Sequence, residues 1–287
     1  MDRLVLLDFK KRITEDPLHV MSSWNDSIDL CSWVGVTCNR ATKGVVILNL
    51  MSQKLVLGLD NNQFGGELPG SVANLSTQLT FLTFGSNLIH GSIPDSLEHL
   101  VHLISLGVKD NYLGGSVLDG IGKLQKLQAL ALDHNKFSGP IPPVLGNLTS
   151  AITIYINKNR LNGRIPPSLG NCSIPFEVGR LVNLAELDAS GNKLLGEIPI
   201  TLGSCASLVV LNLGHNEFQG TIPQSLENLR SLEEIDISGN NLSGNIPQFL
   251  GKLTFLKHLN LSHNDFEGKL PKEGGFSKCK WSLNSRK

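Results

Sequence analysis

Residues 211–247 read LNLGHNEFQGTIPQSLENLRSLEEIDISGNNLSGNIP, and they hold one pattern twice. LNLGHNEFQGTIP (211–223) and IDISGNNLSGNIP (235–247) share alternating apolar residues, then an Asn, then a Gly ahead of Ile-Pro. The pattern returns as LALDHNKFSGPIP (130–142) and LNLSHNDFEGKLP (259–271). The marker residues are Asn62, Asn87, Asn111, Asn135, Asn159, Asn192, Asn216, Asn240 and Asn264, spaced 25, 24, 24, 24, 33, 24, 24 and 24 residues apart. A period held this firmly is the signature of a stacked-repeat architecture.

Each segment implies the same physics. Alternating apolar positions point to one side of a short strand. One coil cannot bury them alone, whereas stacked coils share a continuous apolar core. The marker Asn, with donors and acceptors on one amide, can satisfy backbone groups of its own and the adjoining coil where the strand turns. The Gly before Ile-Pro accepts backbone angles that other residues avoid. The Pro suits an edge segment that need not donate.

The chain is identified as a leucine-rich repeat solenoid, and the LxGxIP element resembles the plant-specific 24-residue class over residues 45–271. The resemblance implies a curved right-handed superhelix with a parallel β-sheet on the concave face, a second short sheet from LxGxIP, and a helical amino-terminal cap. The stretch DRLVLLDFKKRITEDPLHVMSSWN, with GSIPDSL, LDHNKFSGPIP and LNGRIPPSLGNC, is similar to ectodomains of plant leucine-rich repeat receptor-like kinases. The subgroup is that of the bacterial elongation-factor receptor and the rice bacterial-blight resistance receptor. The implied organisation is a cap over 1–44, about nine or ten coils over 45–271, and an irregular tail over 272–287.

Within the cap, an amphipathic helix is expected to end near Asp16-Pro17. CSWVGVTC (31–38) resembles the family's CxWxGVxC. By that resemblance Cys31 and Cys38 form a disulfide, Trp33 packs beneath it, and Trp24 belongs to the same cap packing; two free thiols are the alternative. A disulfide implies an oxidising compartment. Cys172 and Cys205 occupy equivalent places in their coils and read as small buried thiols, while Cys279 lies in the tail.

Two slips interrupt the rhythm. After Asn159 the interval is 33 residues, and LGLDNNQFGGELP starts afresh with Asn62 only nine residues after Gln53, which holds the Asn position. Either an insertion of nine residues or a deletion of 15 would give this arithmetic; ordinary repeat sequence on both flanks favours deletion. Irregular structure is expected at 51–62 and, as a convex loop, at 167–182.

Charge is balanced, 25 basic against 25 acidic residues, which gives no footing for nucleic acid. No apolar run reaches the 18 or so residues of a membrane span, and MDRLVLLDFKKR does not read as a signal peptide. The cap and the sequons point instead to an extracellular origin, apoplastic or at the plasma membrane. N-x-S/T occurs at Asn25, Asn74, Asn147, Asn171, Asn241 and Asn260, with Asn260 on the expected concave face.

No kinase motif is present. Glu234 and Asp236 alternate onto one strand face, but as outward repeat positions they read as solvated rather than as a glycosidase pair. His134, His215 and His263 each precede a marker Asn; His134 and His215 lie about three strand spacings apart, too far for shared metal ligation. No cofactor or metal is expected. The candidate binding face gathers Tyr155, Glu186, Asp188, Asn212, Glu234, Asp236, Lys257 and His258, acidic toward the carboxyl-terminal coils and more neutral earlier at Thr83, Gly107 and Ala131.

The resemblance implies a module that binds a protein or peptide ligand in pathogen or peptide perception, with a co-receptor recruited through the later coils. A secreted inhibitor similar to the polygalacturonase-inhibiting proteins is the alternative, against which the lone Cys279 counts. A fragment of a receptor serine/threonine kinase is the third reading.

Overall fold

A computed structural model describes residues 2–16, 19–50, 64–75, 78–170, 183–268 and 280–282. The described residues form a solenoid with three layers of short elements. The long sheet has eleven strands. Val36–Cys38 pairs antiparallel with Val45–Asn49. Parallel neighbours follow at Phe81–Thr83, Ser105–Gly107, Ala129–Ala131, Thr153–Tyr155, Glu186–Asp188, Val210–Asn212, Glu234–Asp236, His258–Asn260 and Lys280–Ser282. Each strand is three to five residues long because only one or two apolar residues per coil need to face inward.

The Gly-x-Ile-Pro half of each repeat makes the second layer. Ile13–Glu15, Gly65–Glu67, Leu88–Ser92 and Tyr112–Gly114 form one sheet, and six strands from Ser138–Pro140 to Asp265–Glu267 form another. The Pro then precedes a 3-10 turn, as Pro94 does at Asp95–His99 and Pro223 at Gln224–Asn228. Each turn drops one Leu into the core. Leu145, Leu169, Leu202 and Leu226 are all fully buried, beside the strand column Leu130, Ile154, Leu187, Leu211 and Ile235. Burying each such side chain contributes about 1.5–3 kcal/mol.

The marker asparagines connect the coils. Asn240 donates from Nδ2 to the carbonyls of Ile237 (3.0 Å) and Ser238 (3.1 Å) in its own turn and Leu213 (3.0 Å) in the coil before. Its Oδ1 accepts from the Phe218 amide at 3.0 Å. Asn87, Asn111, Asn135, Asn159, Asn192, Asn216 and Asn264 repeat the arrangement. Asn62 lies outside the described residues.

The residue before these asparagines has a positive φ throughout: Ser86, Asp110, His134, Lys158, Gly191, His215, Gly239 and His263 lie between 51° and 63°. The three histidines therefore sit at a backbone position that admits left-handed geometry, which polar residues tolerate better than β-branched ones.

The strands that flank each slip are direct neighbours in the long sheet. Asn49 pairs with Thr83, and Tyr155 with Asp188, so the long sheet passes each junction as an unbroken ladder. Residues 51–62 and 171–182 lie outside the described residues. Pro167–Gly170, expected to begin an irregular loop, is instead a regular 3-10 turn with Leu169 buried.

At the amino-terminal end, helix α1 (Asp2–Arg12) stops earlier than the pattern suggests, because Ile13–Glu15 leaves it to pair antiparallel with Gly65–Glu67. Phe9, Trp24 and Trp33 close the core, with Trp24 and Trp33 stacked at 5.4 Å and Phe9 against Phe84 of the repeats at 5.5 Å. The indole nitrogens donate to the carbonyls of Val34 (2.9 Å) and Ile28 (3.2 Å). Cys31 and Cys38 are joined, with Cα atoms 5.5 Å apart.

The reading of Cys205 as a thiol is corrected. It is buried as expected, but it is a disulfide cysteine. Cys172 and Cys279 lie outside the described residues.

Candidate functional site

The outward face of the long sheet is built by strand alternation. In Glu234–Asp236 the central Ile235 is buried and both neighbours point away from the core. Register then aligns them into columns. One column runs Glu186, Val210, Glu234, His258 and Lys280; the other runs Tyr155, Asp188, Asn212, Asp236, Asn260 and Ser282. The face residues expected from the sequence are thus brought together, with Lys257 at the margin, its Nζ 2.6 Å from Glu233.

In the second column, side chains on neighbouring strands are hydrogen-bonded in pairs. Asn212 donates to Asp188 at 3.2 Å, and Asn260 donates to Asp236 at 2.9 Å. Asp236 also accepts from the Ser238 amide and hydroxyl at 2.9 and 2.6 Å. Both its oxygens are therefore engaged in holding the face, which leaves it unlike a carboxylate poised for acid–base work. The Tyr155 hydroxyl donates to Glu186 on the next strand. Burial first, and then that carboxylate, push the Tyr155 phenol well above its usual range.

The neutral part of the face has its own shape. Thr83, Gly107 and Ala131 follow one another in register. Because these side chains are small, a pocket of about 430 Å³ opens above them, walled by Lys109, Asp133, Tyr155 and Asp188. The sequence pattern carries the small column, but Asp133 and Lys109 lie two residues beyond it, just past the ends of their strands, where strand alternation alone does not mark them.

Of the sequons, Asn74, Asn147 and Asn241 are exposed and Asn25 is partly so. Asn260 is engaged with Asp236 and Ser238 on the face. Asn171 lies outside the described residues.

A stacked-coil core, an asparagine ladder and a tryptophan-rich disulfide cap together define a capped leucine-rich repeat solenoid. The leucine rich repeat N-terminal domain family matches residues 1–39, and leucine rich repeat families match 126–148, 150–172, 182–242 and 206–266. The chain is thus a leucine-rich repeat protein. It is 37% identical over 103 residues to the LRR receptor-like serine/threonine-protein kinase EFR of Arabidopsis thaliana, a match covering 36% of this chain and 9% of that kinase. The ectodomain of the Arabidopsis thaliana receptor kinase GASSHO1/SCHENGEN3, solved with CASPARIAN STRIP INTEGRITY FACTOR 2, superposes with a TM-score of 0.81 at 31% identity, over 99% of this chain and 35% of that one. The Arabidopsis receptor kinase HAESA, solved with the peptide hormone IDA and the co-receptor SERK1, gives a TM-score of 0.72 at 30% identity over 98% of this chain and 50% of that one. The chain therefore spans half or less of these relatives. The ectodomain fold is not itself catalytic, and no described helix is long and apolar enough to cross a membrane.

Proposed function

We propose that the chain is the ligand-recognition portion of a plant receptor-like protein and takes an extended peptide or protein segment along the outward face of its long sheet. The observation that carries this reading is the register of outward polar side chains on consecutive parallel strands from Tyr155 to Asn260. Side chains about 4.8 Å apart along each column, on a rigid scaffold, suit an extended ligand whose side chains are read one coil at a time.

On this reading residues 1–44 act as a cap, 45–271 as the recognition solenoid and 272–287 as a tail. The chain binds rather than catalyses. The cap disulfide fits an oxidising extracellular setting. The later coils, with Lys257 and His258 exposed, are the place for a co-receptor ectodomain. Asn74, Asn147 and Asn241 carry glycans without obstructing the face.

The test is selection of displayed extended peptides on the oxidised chain. Glu234→Arg and His258→Asp on the face weaken capture of the selected peptides about tenfold, a shift of about 1.4 kcal/mol. Glu227→Lys, on an exposed 3-10 turn, leaves it unchanged. Equal capture by all three variants would sink the reading.

A further inference from the structure

The pocket above Gly107 and Ala131 adjoins the amino-terminal end of the acidic columns, sharing Tyr155 and Asp188 with them, and its chemistry is specific. Its volume, about 430 Å³, is in the range of small-ligand sites and ample for one long side chain. Its floor is nearly bare of side chains. Its walls carry two carboxylates, Asp133 and Asp188, against one ammonium, Lys109, and the ring of Tyr155.

The two carboxylates differ in how they are satisfied. Asp188 accepts from the Ser190 amide at 2.9 Å and from Asn212 at 3.2 Å. Asp133 is only 9% exposed. Its Oδ2 lies 3.1 Å from His134 Nδ1, while its Oδ1 is buried and has no hydrogen-bond partner. A buried acceptor left unpaired costs free energy that a donor would recover. The Tyr155 ring is held by its hydroxyl's bond to Glu186 on the adjoining strand, so it forms a fixed aromatic wall, attractive to a cation. Among the described residues no three His, Cys, Asp or Glu side chains converge as metal ligands, which favours an organic cation.

We propose that this pocket is the subsite for a basic side chain of the bound peptide, an arginine guanidinium or a lysine ammonium. The cation donates to Asp133, lies beside the Tyr155 ring and is balanced by Asp188. Lys109 closes one side and admits a single positive charge. This assignment rests on the peptide-binding reading above and names which residue type the face selects at the coils of Gly107 and Ala131.

The experiment titrates four peptides, acetyl-Gly-Gly-Xaa-Gly-Gly-amide with Xaa arginine, lysine, norleucine or glutamate, into the oxidised chain. Binding is read from NMR amide shifts of labelled Gly107, Ala131 and Asn157, the last of which also lines the pocket. The arginine and lysine peptides saturate these shifts at about tenfold lower concentration than norleucine or glutamate. Ala131→Leu, which fills the floor, and Asp133→Asn, which keeps the shape and removes the charge, each abolish that preference while the thermal transition remains cooperative. Equal binding of norleucine, preference for glutamate, shifts confined to other coils, or no shifts at all would overturn the subsite. If displayed peptides are still captured and lost on Glu234→Arg, the subsite alone falls and the peptide-binding reading stands.

Discussion

Asn192 donates to the Ile156 carbonyl at 3.0 Å across 36 residues of chain, and so joins the two strands that flank the second slip in the repeat. The same side chain accepts from the Leu161 amide at 3.0 Å and donates to the carbonyls of its own turn. The junction is held from both sides by one amide. Asn192→Ala leaves four backbone groups without their partner and lowers stability by about 3 kcal/mol. In a nearest-neighbour solenoid this weakens a single interface. Chemical denaturation followed by circular dichroism should broaden or split for this variant. A single transition as sharp as that of the parent chain would show that the junction does not depend on Asn192.

The cap disulfide closes a short loop, with Cys31 and Cys38 separated by 7 in sequence. Loop-closure entropy for so short a loop gives about 2–3 kcal/mol. Cys31→Ser with Cys38→Ser should therefore lower the melting temperature and weaken the near-ultraviolet signal of the stacked Trp24 and Trp33. An unchanged melt would place the stability of the cap in its aromatic packing alone.

Helix α1 is tied to the 3-10 turn Gly70–Asn74 by Ser71 Oγ, which donates to Asp8 Oδ2 at 2.7 Å. That bond, with Arg12 and Lys11 nearby, holds the Asp8 carboxyl below the usual 3.8 despite some opposing desolvation. A depressed folded-state value stabilises the fold above the unfolded value and loses that contribution as pH falls through the folded one. Ser71→Ala should raise the Asp8 titration midpoint in an NMR titration. Its stability deficit should be present at neutral pH and shrink at pH below 3.8. A deficit that does not vary with pH would assign the effect to packing.

Close stacking of the 3-10 turns makes some glycines obligatory. A Cβ on Gly203 would lie 2.3 Å from the Ser225 carbonyl oxygen, whereas on Gly70 it would meet only Ser96 Oγ at 3.7 Å. Backbone cannot step aside as a side-chain tip can. Gly203→Ala should destabilise by about 1–3 kcal/mol. Gly70→Ala should be neutral or stabilising by up to about 1 kcal/mol, since its main effect is on the unfolded chain. Thermal melts of the two variants compare them directly, and equal shifts would refute the distinction.

The sequence by itself determined the repeat, the inward columns and the outward face. A period of 24 with alternating Leu leaves one way to bury every apolar residue, which is to stack the coils. The marker asparagines were legible because a turn at a fixed place needs the same amide each time. Glu234, Asp236 and Asn260 followed from alternation alone. Tertiary structure decided what depends on partners distant in sequence. Helix α1 stops at Arg12 because Gly65–Glu67 competes for the next three residues. His134 and its counterparts belong to a left-handed turn that a residue alphabet does not display. Cys205 became a disulfide cysteine, and the strands that flank each slip became neighbours in a continuous ladder. The pocket of Asp133 exists only because Gly107 and Ala131 are neighbours in register, a relation between coils that no single repeat contains.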